Sequence, residues 1–280
     1  VDELNRTALA AGPAPSWPNS VTTPVMVVRV GDQVEVVVWD SDPSSLITTA
    51  GQRSIALPVM RVDGAGAINL PYGGQVVVAG SSPEDARAQI TTTLRERVPT
   101  AELQINFVAG PNNMVHVVEG VSQPGQYPLQ IESNHVLSTI SVAGGFASSL
   151  TNPIIRVVRG DQVYEVAASA LLDGSVGDIP LRGGDRLIIV EDPRRFTAIG
   201  ATSAERVINF DRQEITAIEA LAMASGLLDQ RADPKSILVL RSQTTESSNE
   251  AADILYTIDL TSADGLFAAR RFLIQDGDTF

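Results

Sequence analysis

The sequence VLSTISVAGGF, residues 136–146, has a counterpart in AIEALAMASGL, residues 217–227. In both stretches apolar residues recur at i, i+1 and i+4, which is typical of one face of a short helix. Each stretch then reaches a glycine, Gly145 or Gly226, where a left-handed residue commonly ends a helix. We therefore predict two equivalent helices, each followed by a glycine with positive φ.

The segments around these helices also recur in the same order. A short strand ending at glycine precedes each helix (residues 115–120 and 196–200), and a β-branched strand follows (residues 154–158 and 237–240). Further on, IPLRGGD at 179–185 is echoed by FLIQDGD at 272–278. Four features repeated in one order indicate a duplicated domain. Two unrelated αβ segments with similar helix ends are the alternative.

The residues before the repeated modules indicate one more β-rich domain. Ser82-Pro83-Glu84-Asp85 begins a helix, because serine caps free N–H groups and proline fits the first turn, and this helix should run to about Arg97. Residues 102–108 alternate as a strand, whereas residues 1–24 contain four prolines and predict an extended leader. We expect an α+β fold of three small β-rich domains in series: after the leader, a first domain at 25–110 and two repeated modules at 111–193 and 194–280.

The second repeat stops sooner than the first. After Gly184-Asp185 the first copy continues into RLIIV at 186–190, whereas only Thr279 and Phe280 follow Gly277-Asp278. We therefore expect the second module to be truncated at its last strand, with an open sheet edge where that strand belongs.

Composition excludes several functional classes. The formal net charge is −13, and a chain this acidic is repelled by nucleic-acid phosphates and by anionic lipid surfaces. It contains no cysteine, which excludes disulfides and thiolate metal sites. No apolar run approaches the ~18 residues of a membrane-spanning helix. We expect a chain that is soluble as given and binds no nucleic acid.

The acidic and histidine side chains do not form a recognisable catalytic pattern. Asp40 and Asp42 lie close together, as the paired carboxylates of glycoside cleavage do. Both follow a strand at a turn, however, where aspartate commonly bonds the nearby backbone. His116 and His135 have no acidic residue at a spacing that indicates a metal or a general base. We expect no enzyme activity.

Three Gly-Asp pairs, at 31–32, 184–185 and 277–278, raise the question of calcium binding. Each pair lies beside an apolar strand, which favours a tight turn at that point. None belongs to a cluster of aspartates at alternate positions, as a calcium loop requires. We expect turns here, and no metal or cofactor.

Several of these segments resemble a known family. VGDQVEVVVWD at 30–40, PYGG at 71–74 and VVVAG at 76–80 resemble the polysaccharide-export domain. PGQY at 124–127, followed by residues 136–146, resembles the soluble-ligand-binding β-grasp (SLBB) module, although the second copy lacks the PGQY turn. One export domain followed by two such modules resembles the Wza-type outer-membrane polysaccharide export proteins.

This resemblance implies a ring of identical subunits, octameric in the best-known members of the family. The ring would lie at the periplasmic face of the outer membrane and pass capsular or extracellular polysaccharide through a polar lumen. The family has an N-terminal lipid anchor and a C-terminal membrane helix, and we expect this chain to be the periplasmic part, without either membrane element. An inner-membrane polysaccharide co-polymerase or tyrosine autokinase is the implied partner.

The loop from about Pro43 to Ser54 is the candidate contact with the glycan. Its hydroxyls, amide and cation suit transient sugar binding, and family position favours the lumen; a plain solvent loop is the alternative. The candidate residues are Ser44, Ser45, Thr48, Thr49, Gln52 and Arg53. The competing function is a monomeric periplasmic protein that uses β-grasp modules to hold a soluble ligand.

Overall fold

The computed structural model describes residues 17–18, 26–40, 53–129, 134–202, 205–228, 230–244 and 251–280. Within these ranges the chain folds into fifteen strands and five α-helices. None of the described helices has the length and apolar character needed to cross a membrane. The buried apolar residues form three separate cores in chain order. The fold is thus a mixed, β-rich α/β structure, as expected.

The first core belongs to residues 26–110, here called the first unit. Its strands are β1 (Gln33–Trp39), β2 (Ser54–Ala56), β3 (Met60–Arg61), β4 (Ala67–Leu70), β5 (Gly74–Val77) and β6 (Glu102–Val108). Antiparallel pairing places β1 between β6 on one side and β2 and β3 on the other. Val34, Val36 and Val38 are buried, so alternate residues of β1 face the core and the opposite face. Strands β4 and β5 form a separate hairpin.

Helix α1 (Pro83–Arg95) covers this sheet and begins where the sequence predicts. The Ser82 hydroxyl accepts a hydrogen bond from the Asp85 N–H at 3.0 Å, which satisfies a donor that the first turn leaves free. Ala86, Ile90 and Leu94 recur at four-residue intervals and are fully buried. The helix packs on the sheet through this face.

The second unit, residues 111–193, is built on one five-stranded sheet. Its elements are β7 (Met114–Glu119), β8 (Gly125–Pro128), α2 (Val136–Val142), β9 (Pro153–Arg159), β10 (Gln162–Ala167), α3 (Ala168–Leu172) and β11 (Arg186–Glu191). The strand order is β10-β9-β11-β7-β8. Strand β11 is parallel to β7 and antiparallel to β9. Trp17 packs into this core, and its Nε1–H donates to the Gly177 carbonyl at 2.7 Å.

The third unit, residues 194–280, contains two hairpins. Its elements are β12 (Arg195–Ala198), β13 (Arg206–Asn209), α4 (Ala217–Met223), β14 (Ile237–Thr244), β15 (Ala251–Ile258) and α5 (Ala263–Arg271). Thr279 joins the hairpins, because it pairs in parallel with Thr197 and antiparallel with Leu240.

The open edge predicted for the second module stays a prediction, while residues 278–280 themselves pair with strands on both sides. The Phe280 N–H donates to the Thr197 carbonyl at 2.7 Å, and the Thr279 N–H donates to the Leu240 carbonyl at 3.0 Å. These residues therefore lie between β12 and β14, as β11 lies between β7 and β9. Residues 278–280 occupy a central position in the sheet, with a neighbouring strand on each side.

Candidate functional site

The predicted sugar-contacting loop falls mostly outside the described residues. Ser44, Ser45, Thr48, Thr49 and Gln52 are not described. Arg53 is exposed, and its carbonyl accepts the Asp40 N–H at 3.0 Å. The end of the loop is thus anchored beside the last residue of β1, and the lumen assignment stays a prediction.

The Gly-Asp pairs form three turns of the same geometry. In each turn the residue three positions before the aspartate accepts the aspartate N–H, at 3.0, 3.0 and 3.2 Å. The N–H of that same residue donates back to the carboxylate at 2.8 Å in all three cases. The glycines have φ of 94°, 89° and 79°, the left-handed region that a type II turn requires at its third position. The residues are Arg29-to-Asp32, Arg182-to-Asp185 and Gln275-to-Asp278. The turn interpretation is confirmed.

Two of these aspartates, both buried, also bind an arginine. Arg159 Nη2 lies 2.6 Å from Asp185, and Arg241 Nη2 lies 2.6 Å from Asp278. Each arginine also donates to a backbone carbonyl two residues before the turn, that of Pro180 at 2.9 Å or of Leu273 at 2.8 Å. Burial makes such pairs sensitive to loss of either member. These carboxylates act as structural anchors of the second and third units.

The first aspartate connects two units instead. Asp32 accepts hydrogen bonds from the Gly110 N–H and from Asn113 Nδ2, both at 2.6 Å. Asn113 Nδ2 also donates to the Val27 carbonyl at 3.0 Å. Because Asn113 lies where the chain enters β7, the turn fixes the joint between the first and second units.

Two hollows flank Arg29 at this joint, of about 530 Å³ and about 240 Å³. Arg29 Nη1 donates to the carbonyls of Asn112 at 3.3 Å and Gly183 at 3.2 Å. Among the described residues that line the hollows, none is acidic, and His116 lines the larger one. The Arg29 guanidinium thus bonds backbone carbonyls of the second unit between the two hollows.

A second polar joint links the second and third units. Asn152 donates through Nδ2 to Asp192 at 3.0 Å and accepts through Oδ1 from Gln213 at 2.9 Å. Arg194 pairs with Asp192 at 2.6 Å and donates to Gln213 at 2.9 Å. Asn152 and Asp192 are both buried, so this network holds the two units in one orientation.

The paired-carboxylate hypothesis gains no support from the geometry. Asp40 is buried and accepts a hydrogen bond from the Thr100 hydroxyl at 2.8 Å, while Asp42 lies outside the described residues. His135 is the residue before α2. Across the described part of the chain, no three His, Cys, Asp or Glu side chains come together as a metal site would require.

The starts of α2 and α4 use different acidic partners. Asp178 accepts from the Leu137 N–H at 3.3 Å, and burial raises the pKa of its carboxyl above the ordinary 3.8. Glu219 completes a reciprocal cap with Thr216, and the Thr216 N–H and hydroxyl lower the pKa of the glutamate carboxyl. These groups secure helix ends and are not arranged around a common centre.

The outer faces of the second and third sheets differ in polarity. In the second sheet, five residues that pair across adjacent strands form a row on the outer face. They are Gln126, His116, Arg186, Val158 and Val163. The corresponding row of the third sheet, formed by cross-strand pairs in the same order, consists of Val207, Thr197, Thr279, Leu240 and Leu255. Three apolar side chains of the second row are 50–59% exposed. The third unit therefore presents an apolar strip, here called the third-unit row.

The first unit's sheet presents a half-exposed tryptophan on its outer face. Trp39 is 49% exposed, with Glu102 and Ser54 as its cross-strand neighbours. Sequence reasoning singled out the loop after Trp39 as the sugar contact and did not single out Trp39 itself. The alternation of β1 around Val34, Val36 and Val38 was the available signal, because it places Trp39 opposite the core.

Comparison with known proteins shows what this chain is similar to. Residues 20–107 match the family model for the polysaccharide biosynthesis/export protein. The capsule polysaccharide export protein BexD of Haemophilus influenzae is 28% identical over 273 residues, which covers 90% of this chain and 69% of that protein. The resemblance to Wza-type polysaccharide export proteins is confirmed.

Further relatives match about the same share of the chain. The capsule polysaccharide export outer membrane protein CtrA of Neisseria meningitidis is 23% identical, covering 90% of this chain and 70% of its own. The Vi polysaccharide export protein VexA/TviF of Salmonella typhi is 22% identical, covering 89% and 71%. The export-family model covers nearly all of the first unit, including β1 and Trp39.

Proposed function

We propose that this chain is the periplasmic, ring-forming part of an outer-membrane translocon that exports capsular or extracellular polysaccharide. The observation that carries the proposal is the match of residues 20–107 to the polysaccharide export family. Relatives that cover about nine tenths of the chain carry polysaccharide export in their names, and two are named outer membrane proteins. The chain would act as a conduit and not as an enzyme.

The use of the described charged side chains supports a conduit. Asp32, Asp185 and Asp278 anchor turns, and Asp192 anchors the second joint. Each carboxylate is thus engaged with groups of the protein itself, where it fixes geometry. A conduit needs such rigid joints, because a lumen keeps its width only if the units do not rotate freely.

The second and third units would be two copies of one β-grasp-like module. They share the order strand, helix, strand and a last segment that pairs between the two strands (β7, α2, β9 and β11; β12, α4, β14 and residues 278–280). Both also hold an Arg–Asp pair with a buried aspartate at the entry to that last segment. With the leader at 1–24 and the export domain at 25–110, the modules would occupy 111–193 and 194–280.

Assembly into a ring would create the lumen. The third-unit row would contribute apolar contact between subunits through Leu240 and Leu255, which are exposed neighbours across β14 and β15. The lumen would bind glycan weakly and at many places, because tight binding would stop the cargo. Residues 43–54 would border it. A lipid anchor would hold the full-length protein at the outer membrane, and an inner-membrane polysaccharide co-polymerase or tyrosine autokinase would be its partner in the export complex.

Two measurements test this function. Light scattering of the native protein purified from outer membranes should give a multiple of the subunit mass, which for this chain is 29.6 kDa. Deleting the gene should retain polysaccharide inside the cell, and the plasmid-borne gene should restore surface polysaccharide. A monomer that binds a soluble ligand, with export unchanged by deletion, would favour the receptor alternative.

A further inference from the structure

The outer face of the first unit's sheet combines an aromatic ring with hydrogen-bonding groups. In the row that contains Trp39, the cross-strand neighbours are Glu102 and Ser54. Two residues along β1, Val37 lies between Gln104 and Ala56 in the next row. These rows form one continuous surface, because side chains at alternate positions share a face of the sheet.

A third row continues the polar surface. Glu35 faces Asn106 across the strands, and Asn106 Nδ2 donates to Glu35 Oε2 at 3.1 Å. Amides both donate and accept hydrogen bonds, and carboxylates accept them. The face therefore offers alternating donors and acceptors beside one flat apolar ring. It is shallow, as expected of a surface that several strands share.

A half-exposed indole in polar surroundings indicates a binding surface, because the ring would otherwise be buried. The C–H groups of a pyranose ring form an apolar face that stacks on an aromatic side chain, while its hydroxyls seek donors and acceptors at the rim. We propose that Trp39, with Glu102 and Gln104, forms a platform that binds uncharged sugar residues of the glycan. This proposal rests on the proposed function in one respect: it takes the bound glycan to be the exported polysaccharide.

The charge of the platform selects the class of sugar. Glu35 and Glu102 are exposed carboxylates, and the three rows contain no basic residue. Anionic sugars would meet like charge at short range, which disfavours them, whereas neutral sugars pay no such cost. A shallow site with one ring binds weakly, so the chain of sugars can move on. Because the loop at 43–54 ends beside Asp40, the platform would extend the predicted sugar-contacting surface.

Binding is tested on the purified chain by fluorescence and by saturation-transfer NMR. The chain has two tryptophans, and Trp17 is buried, so Trp39 is the one that responds to surface ligands. Maltoheptaose and cellohexaose should change the emission with a dissociation constant on the order of millimolar. Oligogalacturonate of similar length should bind on the order of tenfold more weakly. Trp39→Ala should weaken neutral-sugar binding by about tenfold or more, and Trp39→Phe by less.

Matched variants separate a sugar platform from a general surface effect. Leu240→Ala removes an exposed apolar side chain from another sheet and should leave sugar binding unchanged. Thermal midpoints within a few degrees of wild type would show that Trp39→Ala is folded, and Trp39→Phe gives a second, milder variant. Equal sugar binding by wild type and Trp39→Ala would overturn the proposal. So would loss of assembly mass in Trp39→Ala without loss of sugar binding, which would make the face a subunit contact. A strain whose export survives deletion would refute the proposed function and leave the sugar binding measurable.

Discussion

At the residue scale, the ends of helices α2 and α4 show how a backbone requirement is met in two ways. Gly144 and Gly145 have φ of 85° and 81°, and Ser225 and Gly226 have φ of 67° and 77°. The N–H groups of Gly145 and Gly226 reach back to carbonyls five residues earlier, at 2.9 Å in both helices, as in a Schellman motif. The predicted positive φ of Gly145 and Gly226 is confirmed. Ser225 was not predicted, because serine rarely adopts this conformation.

Replacing Gly145 or Gly226 with alanine should destabilise its unit by about 1 kcal/mol, since a Cβ disfavours the left-handed region. No atom would lie within 4 Å of the new methyl group at either site, so backbone strain is the cause. Urea denaturation measures the effect. Gly64→Ala is the control, because its surroundings are equally open and its φ is not positive. Equal losses at Gly64 and Gly145 would contradict the cap.

Asp178→Asn should change how stability depends on pH. Burial raises the folded-state pKa of the carboxyl above 3.8, so ionisation is harder in the folded chain than in the unfolded one. The contribution of the protonated group is fully present below the unfolded pKa and is lost as pH rises through the folded pKa. The variant should therefore gain stability relative to wild type between pH 3.5 and pH 7. A difference between the two proteins that is the same at both pH values would refute this sign.

At the element scale, strong local signals predicted well and weak ones did not. Helix α1 and strand β6 were predicted from capping and alternation, and both are present. Residues 27–30 look like a strand in sequence, yet they form no strand: Val28 bonds the main chain of Ser81 and Gly80, and the Arg29 carbonyl accepts the Asp32 N–H of the turn. Strand β15 and helix α5 were not predicted. Strand β15 is recognised only from its antiparallel pairing with β14, and α5 follows it in the chain.

Asp278→Asn should cost the third unit about 3 kcal/mol, the loss expected when a buried ion pair loses one partner. Arg241 is 3% exposed and would keep its charge without a counter-charge. Asp185→Asn should cost less, because Arg159 is 20% exposed and water can solvate it. Chemical denaturation of both variants gives the order. Equal losses would show that solvent access to the arginine does not decide the cost.

At the scale of the whole molecule, close backbone approaches set the joints. Gly183 lies against the chain between the first two units, where an added Cβ would come within 2.1 Å of the Asn112 carbonyl oxygen. The Arg29 guanidinium bridges the same two residues. The first joint therefore depends on the absence of a side chain at one position.

Gly183→Ala should displace Asn112 and Asn113, which connect the first unit to β7, at a cost of about 2 kcal/mol, in the range for an overpacked contact. A larger radius of gyration in small-angle X-ray scattering, with a lower thermal midpoint, is the expected result. Gly64→Ala again serves as the control. An unchanged radius and midpoint in Gly183→Ala would show that the joint tolerates the methyl group.

The sequence by itself determined the starts of α1, α2 and α4, the cap glycines and the three Gly-Asp turns. These features depend on φ preferences and on contacts within four or five residues, so the local residues specify them. Only the tertiary structure decided that Asp32 binds Asn113 while Asp185 and Asp278 bind arginines. It alone brought Glu102 and Gln104 beside β1 and placed residues 278–280 between two strands. Such contacts join residues far apart in the chain, and their register is set by the packing of the whole sheet.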